Sequence, residues 1–195
     1  RCAILPPAMR FLEKACVMDA ARINRALSRL ASEIVERNRG VEGLLLAGVR
    51  RRGVPLAERI AERIAELEGA PPMLATIDVA FYGDDLALVA PKPIVRESTL
   101  PDDLSGLTVV VVDDVLYTGR TVWAAIEHLL AARNPRRVQL AVLIDRGHRD
   151  LPIQADYIGK IVPTKGEEIV KVMLAEFDDA EKVLIVELEP EGPAR

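Results

Sequence analysis

Residues 109–121, Val109-Val110-Val111-Val112-Asp113-Asp114-Val115-Leu116-Tyr117-Thr118-Gly119-Arg120-Thr121, decide how this chain is read. Four β-branched residues in a row describe a strand buried on both faces, and after a short polar turn the segment from Thr121 to Ala132 is compatible with a helix. A turn of small and hydroxyl residues at a helix N-terminus directs several backbone N–H groups at one point, where the helix dipole also favours an anion. Phosphate is the obvious guest. Each hydrogen bond to a charged group contributes roughly 1.5–3 kcal/mol, so a few amides with the Thr118 and Thr121 hydroxyls hold a phosphate without a lysine. The carboxylates of Asp113 and Asp114 would repel that phosphate unless they faced hydroxyls or a metal ion, and a sugar phosphate satisfies both ends. The plainer reading, a strand-turn-helix with a solvated Asp pair, leaves unexplained a pattern that agrees over thirteen residues. A dinucleotide-binding turn needs G-x-G-x-x-G and a P-loop needs G-x-x-x-x-G-K-[ST], and the chain has neither.

At 195 residues, half of them hydrophobic, the chain has the length and the apolar content of one domain. A formal charge of −4 and a pI near 5.4 argue against nucleic-acid binding by bulk charge, so any such role must sit on a local basic face. Cys2 and Cys16 lack the spacing of a zinc site or a redox motif, and only two histidines could supplement them. A reduced, cytoplasmic protein without structural metal is expected. No apolar run reaches the roughly 18 residues of a membrane span, and no signal-peptide pattern opens the sequence, so no membrane partner is expected.

Residues 1–17 carry two prolines and no clear period and read as an N-terminal extension, 18–190 as a single domain and 191–195 as a tail. From Asp19, a candidate N-cap, to Asn38 the pattern is helical, with Ile23, Leu27, Leu30 and Ile34 on one stripe and Gly40 as the stop. Arg22, Arg25 and Arg29 recur on nearly the opposite face, where a solvated surface is the plainer reading. Leu44 to Val49 reads as a second buried strand, followed by Arg50-Arg51-Arg52-Gly53 and a helix opening at Val54-Pro55. That concentrates positive charge at the carboxyl end of a strand, where parallel sheets place ligands, and it suits a diphosphate. Ala75 to Tyr82 reads as a strand, and a long connection through Gly83-Asp84-Asp85 and two prolines leads to Ile94-Val95-Arg96, the arrangement of a lid. Val138 to Ile144, Glu168 to Glu176 and Val183 to Leu188 complete the strands. The alternation predicts an α/β fold with a mostly parallel central sheet flanked by helices, a small C-terminal hood and a flexible lid loop.

The stretch from Val109 to Thr121 resembles the phosphoribosyl-diphosphate (PRPP) loop of type I phosphoribosyltransferases. Further motifs narrow the resemblance to one subgroup, the PyrR proteins: Asp145-Arg-Gly-His-Arg-Asp-Leu-Pro-Ile-Gln-Ala-Asp-Tyr-Ile-Gly-Lys160, Val162-Pro-Thr164, Val138-Gln-Leu-Ala-Val-Leu and the helix from Met18 to Asn38. Many members of that subgroup make UMP from uracil and PRPP. They also bind pyrimidine-operon leader mRNA when uridine nucleotides such as UMP or UTP are present, which controls transcription attenuation. The resemblance implies that Asp113 and Asp114 meet the ribose 2′- and 3′-hydroxyls and that Val115 and Leu116 lead into Tyr117, Thr118, Gly119, Arg120 and Thr121 around the 5′-phosphate. By the same resemblance Arg50, Arg51 and Arg52 form the diphosphate loop, Arg96 supplies the cation of the lid, Mg²⁺ arrives on PRPP, and backbone groups at Ile161 and Val162 read uracil. Catalysis is then positional and electrostatic, with no side-chain nucleophile.

Carried over in the same way, Ser28, Arg29, Arg37, His148, Arg149, Lys160 and Thr164 are the RNA contacts, and a homodimer or homotetramer is implied. The chain departs from the subgroup at Ser32, Gln154, Ile161 and Lys165-Gly166-Glu167, where His, Arg, Asn and Ser-Arg-Ser are expected, all on the RNA side. It departs in the catalytic loops at Arg51, expected as Thr, and Gly83, expected as Arg. Two alternatives therefore stand beside the bifunctional reading: a catalytically weak, nucleotide-sensing RNA-binding regulator, and a salvage enzyme without RNA binding.

Overall fold

In a computed structural model that describes residues 9–81, 93–132 and 134–190, the chain begins β1 (Met9–Asp19), α1 (Ala20–Asn38), β2 (Leu44–Val49), α2 (Gly53–Glu68). It continues β3 (Met73–Phe81), β4 (Pro93–Ser98), β5 (Thr108–Leu116), α3 (Arg120–Ala132), β6 (Arg137–Asp145), β7 (Tyr157–Ile161), β8 (Ile169–Met173) and β9 (Lys182–Pro190). The central sheet has the order β4-β3-β2-β5-β6-β7. Its strands β3, β2, β5, β6 and β7 are mutually parallel, and β4 closes one edge antiparallel to β3.

Continuous apolar strands make sense here because both faces are covered. Leu44, Leu46, Val110 and Val112 point toward α1 and α2, where Ile23, Leu27, Leu30, Ile34, Leu56, Ile60 and Ile64 meet them. Leu45, Ala47, Val109 and Val111 point the other way, against Val122, Ala125 and Leu129 of α3. Side chains alternate along a strand, so a run such as Val109 to Val112 feeds both cores at once. Each fully buried Leu, Ile or Val contributes roughly 1.5–3 kcal/mol, an upper figure because the unfolded chain already hides some of that surface.

Helix α1 starts as the sequence predicts, with the Asp19 carboxylate accepting from the Arg22 amide at 2.8 Å. Its stop is one residue earlier than Gly40. Arg39 takes the left-handed conformation at φ 60°, and the Gly40 amide donates back to the Val35 carbonyl. The Asp pair is part of β5, which runs on to Leu116.

The N-terminal segment corrects the expectation of an extension. Met9–Asp19 is a strand that pairs antiparallel with β9, and β9 pairs with β8, so the hood is a three-stranded sheet. Register shifts between Glu13 and Ala15 and between Cys16 and Met18 interrupt the two-residue alternation, which is why no period is visible in the sequence. Gly83 and the neighbouring residues of the proposed lid lie outside the described residues. Arg96 lies on β4, with its side chain also outside them.

Candidate functional site

The site is assembled where β2 and β5, adjacent in the sheet, each hand over to a loop and a helix. Gly53 opens α2 so close to β5 that a Cβ there would collide with the Val112 carbonyl oxygen and crowd Asp113 Cα. That absence of a side chain lets the arginine loop and the Asp pair lie side by side.

Asp113 is buried, 7% exposed, and one carboxylate oxygen accepts from the Asp114 amide at 2.9 Å. Asp114 in turn accepts from the Val115 amide at 2.9 Å. Burial pushes the Asp113 carboxyl well above the usual carboxylate range, and the neighbouring Asp114 charge adds to the effect. Burial also raises Asp114, while the Arg52 guanidinium works the other way. A pair held like this readily accepts hydrogen bonds or favours a cation brought to it, because either relieves the burial of its charge.

Arg52 is the arginine that faces this pair. Its Nη2 lies 3.2 and 3.0 Å from the two oxygens of Asp178, in the β8–β9 connection of the hood. Burial works against the ionisation of Asp178, but the Leu174 amide and the Arg52 guanidinium hold its carboxyl below the usual range. Arg50 faces Asp78 at 3.7 Å, and Arg51 is exposed. The Arg50–Arg51 peptide is cis. Of the arginine run, then, Arg52 is brought to the Asp pair and also ties the loop to the hood.

Past Leu116 the chain turns through Tyr117 to Arg120, with Gly119 at φ 89° and the Trp123 amide closing the first helical turn onto the Gly119 carbonyl at 2.8 Å. Residues 145–153 wrap this turn from outside. The Asp150 and Leu151 amides donate to the Thr118 carbonyl at 3.0 and 3.2 Å, and Arg120 pairs with Asp150 at 3.1 Å. Arg149 donates to the Leu116 and Tyr117 carbonyls at 3.3 and 2.9 Å. Arg149, expected among the RNA contacts, thus spends these donors on backbone carbonyls of the turn.

An open groove of about 670 Å³ follows, lined by Asp145, Arg146, His148, Gln154, Ile161 and Thr164. Ile161 is 64% exposed at its rim. The Val162 amide donates to the Asp145 carbonyl at 2.8 Å, so that N–H is committed within the fold and leaves carbonyls and neighbouring amides as the backbone groups able to meet a base. His148 takes a left-handed φ of 59°, and its Nε2 donates to the Thr164 carbonyl at 2.6 Å. Because a carbonyl only accepts, Nε2 carries the hydrogen.

The remaining RNA candidates gather along α1 and the edge strand β7. Arg29 donates to the Ile158 and Gly159 carbonyls at 3.0 and 2.6 Å and pairs with Glu33 at 2.8 Å. Lys160 donates to the Val17 carbonyl at 3.1 Å. With Arg22 and Arg25 they line a shallow basic groove that the outward arginine row helped to signal. Ser28 donates to the Asn24 carbonyl at 3.1 Å one step along the helix. Arg37 stands apart, paired with Asp156 at 2.9 Å and lying over the Tyr157 ring among Glu33 and Glu36.

Two contributors were not singled out in the sequence. The Arg146 guanidinium, 5% exposed, lies 4.0 Å from the centre of the Tyr117 ring and donates to Thr164 Oγ1 at 3.0 Å and to the Glu168 carbonyl at 2.6 Å. Asp178 sits in an acidic, apolar-flanked stretch, Glu176-Phe-Asp-Asp179, where local pattern cannot distinguish it from Asp179.

The phosphoribosyl transferase domain family matches residues 17–176. The bifunctional protein PyrR of Pelotomaculum thermopropionicum is 53% identical over 175 residues, covering 90% of this chain and 97% of that protein. The bifunctional protein PyrR of Thermus aquaticus is 52% identical over 181 residues, covering 93% and 99%. Among solved structures, a hypoxanthine-guanine phosphoribosyltransferase from Bacillus anthracis superposes with a TM-score of 0.67 at 17% identity, covering 90% of this chain and 99% of that one, a likeness of fold.

Proposed function

The chain belongs to the phosphoribosyl transferase domain family and, within it, to the PyrR proteins, and from that footing we propose that it makes UMP and diphosphate from uracil and PRPP and binds pyrimidine-operon leader RNA in response to uridine nucleotides. One observation carries the chemistry: a buried and a half-buried carboxylate near the end of β5 lead into the hydroxyl-bearing turn that opens α3, with Arg52 across from them. Asp113 and Asp114 hold the ribose hydroxyls, and the turn from Tyr117 to Thr121 holds the 5′-phosphate.

In the reaction the bond from C1′ to the diphosphate oxygen breaks as the bond from uracil N1 forms, positive charge collects on the ribose ring between, and the N1 proton leaves to the departing diphosphate or to water. The Asp pair lies beneath that charge and favours it, while Arg52, with Arg50 nearby, favours the departing diphosphate. Carboxylate oxygens, sugar hydroxyls and diphosphate oxygens form the hard oxygen set that suits Mg²⁺, so this pocket fits an ion that enters with the substrate. Arg96 is kept as the further cation for the diphosphate.

For RNA, Arg29 and Lys160 neutralise phosphates along the basic groove, with Ser28 beside them, and His148 and Thr164 present a ring and a hydroxyl to an unpaired base. Arg37 flanks that surface. Assembly as a homodimer or homotetramer and a cytoplasmic location complete the reading. The observation favouring a salvage enzyme without RNA binding is the exposed Gln154 and Ser32 in positions where the resemblance expects cations or His.

The test is a paired assay on one preparation. UMP formation is measured with uracil, hypoxanthine and guanine in turn, beside binding of the leader RNA and of a scrambled RNA with and without UMP. Uracil turning over fastest is the expected result, with preference for the leader; a purine turning over faster sinks the substrate assignment, and equal binding of both RNAs sinks the regulatory half.

A further inference from the structure

Arg149 has five N–H donors, and the fold uses all three nitrogens. Nε donates to the Ile153 carbonyl at 3.1 Å, and Nη1 to the carbonyls of Leu116, Tyr117 and Gly147 at 3.3, 2.9 and 3.0 Å. Nη2 pairs with Asp145 at 2.6 Å, and only 21% of the side chain is exposed. A guanidinium surrounded in this way has little left for a nucleic-acid phosphate.

What it does instead follows from the planarity of the peptide. In a trans peptide the N–H points opposite to the carbonyl of the preceding residue. Arg149 fixes the Leu116 and Tyr117 carbonyls from behind the turn, and the Asp150 and Leu151 amides fix the Thr118 carbonyl from the same side. The amides of Tyr117, Thr118 and Gly119 are thereby aimed away from residues 145–153, together, into the concave side of the turn. Successive amides aimed at one point form an anion cradle, and its affinity depends on their being fixed before the anion arrives.

We propose that Arg149 is a positioning residue of the phosphate-binding turn, acting on the 5′-phosphate of PRPP and UMP through the backbone of residues 116–118 and acting on RNA only through that nucleotide. This rests on the reading of Tyr117 to Thr121 as the 5′-phosphate loop. Asp145 is the anchor that orients the guanidinium. The turn between them carries His148 on its other side, bonded to Thr164, so one five-residue segment touches both the phosphate turn and the RNA surface.

Arg149→Lys and Arg149→Ala test it on the full chain. Lysine retains a charge for Asp145 but cannot span the carbonyls, so it separates the backbone contacts from the ion pair. Melting and the fluorescence of the single tryptophan, Trp123, check folding. The expected result is a roughly tenfold rise in the Kd for UMP by calorimetry and in the KM for PRPP, with kcat at saturation changed far less than KM. Leader-RNA affinity should recover to the wild-type value once UMP is saturating, with only the UMP concentration needed being shifted. Unchanged UMP and PRPP affinity in folded Arg149→Lys overturns the proposal, as does RNA binding that stays weak at saturating UMP, which marks a direct RNA contact. Wild-type protein that binds neither UMP nor PRPP overturns the phosphate-loop reading itself, and this proposal with it. Wild-type protein that binds both but no RNA fails only the regulatory reading, and the nucleotide arms then decide.

Discussion

A carboxyl group held above its usual range in the folded state destabilises that state at neutral pH. For Asp113 the folded chain retains a proton that the unfolded chain releases, between the ordinary carboxyl value of 3.8 and the raised folded value, so stability falls as pH rises through that window. Asp113→Asn keeps the acceptor for the Asp114 amide and removes the buried charge. We expect it to raise the melting temperature of the ligand-free protein at pH 7 by a few degrees, at roughly 2–4 °C per kcal/mol for a chain of this size. With Asp114→Asn added, UMP synthesis should fall by roughly 10²–10³-fold or more, since the charge opposite the developing ribose cation is gone. Calorimetry and steady-state kinetics on the same samples check both halves; near-wild-type turnover would mean that the charge of the pair plays no part in the reaction. For wild type, kcat/KM for PRPP should decline on the acid side at a higher pH than an ordinary carboxyl would give, because both carboxyls are raised. The pair was legible in the sequence because it interrupts an apolar run at a fixed distance from Thr118. Arg146 and Asp178 were not, because what marks them is a ring and a guanidinium brought together by the fold, from 29 and 126 residues away (146 − 117 and 178 − 52).

Among the elements, α2 is the one whose placement leaves least latitude. Its first residue, Gly53, touches the carbonyl end of β5, and any side chain there drives the arginine loop away from the Asp pair. Gly53→Ala should therefore destabilise the protein by roughly 1–3 kcal/mol and raise the KM for PRPP, read by denaturant titration and kinetics. An unchanged KM in a folded variant would show that the two loops act independently. The elements that sequence periodicity revealed are those with an uninterrupted period: α1 with its stripe of Ile23, Leu27, Leu30 and Ile34, and β2 and β5 with continuous apolar runs. The strands it missed are β1, whose two register shifts break the alternation, β4, six residues opening on a proline and read as the end of the long connection, and β7, five residues long and only half-buried through its middle.

Across the whole molecule the charge is negative, yet Arg22, Arg25, Arg29 and Lys160 line one groove. RNA binding should therefore be local and salt-sensitive. Lys160→Ala should weaken leader binding and lower the slope of log K against log salt by roughly 0.7–0.9, with little effect on UMP formation. Gln154→Arg should strengthen leader binding, because it adds a cation to the groove beside His148. A slope unchanged by Lys160→Ala would remove that lysine from the RNA surface. Composition could not signal this groove, because it depends on α1 lying against β7.

The hood is sewn from the two ends of the fold: Met9 lies opposite Pro190, and Lys14 reaches Glu187, 173 residues away. On the ribosome, β1 is therefore made well before β9, the strand that pairs with it. The central sheet, whose strands are closer neighbours in sequence, can close while β1 still waits for β9, with its edge unpaired. Arg52 waits too, since Asp178 emerges with the same late segment. A newly made chain thus passes through a stage with its core formed and Arg52 still without its hood partner, until β8, Asp178 and β9 follow.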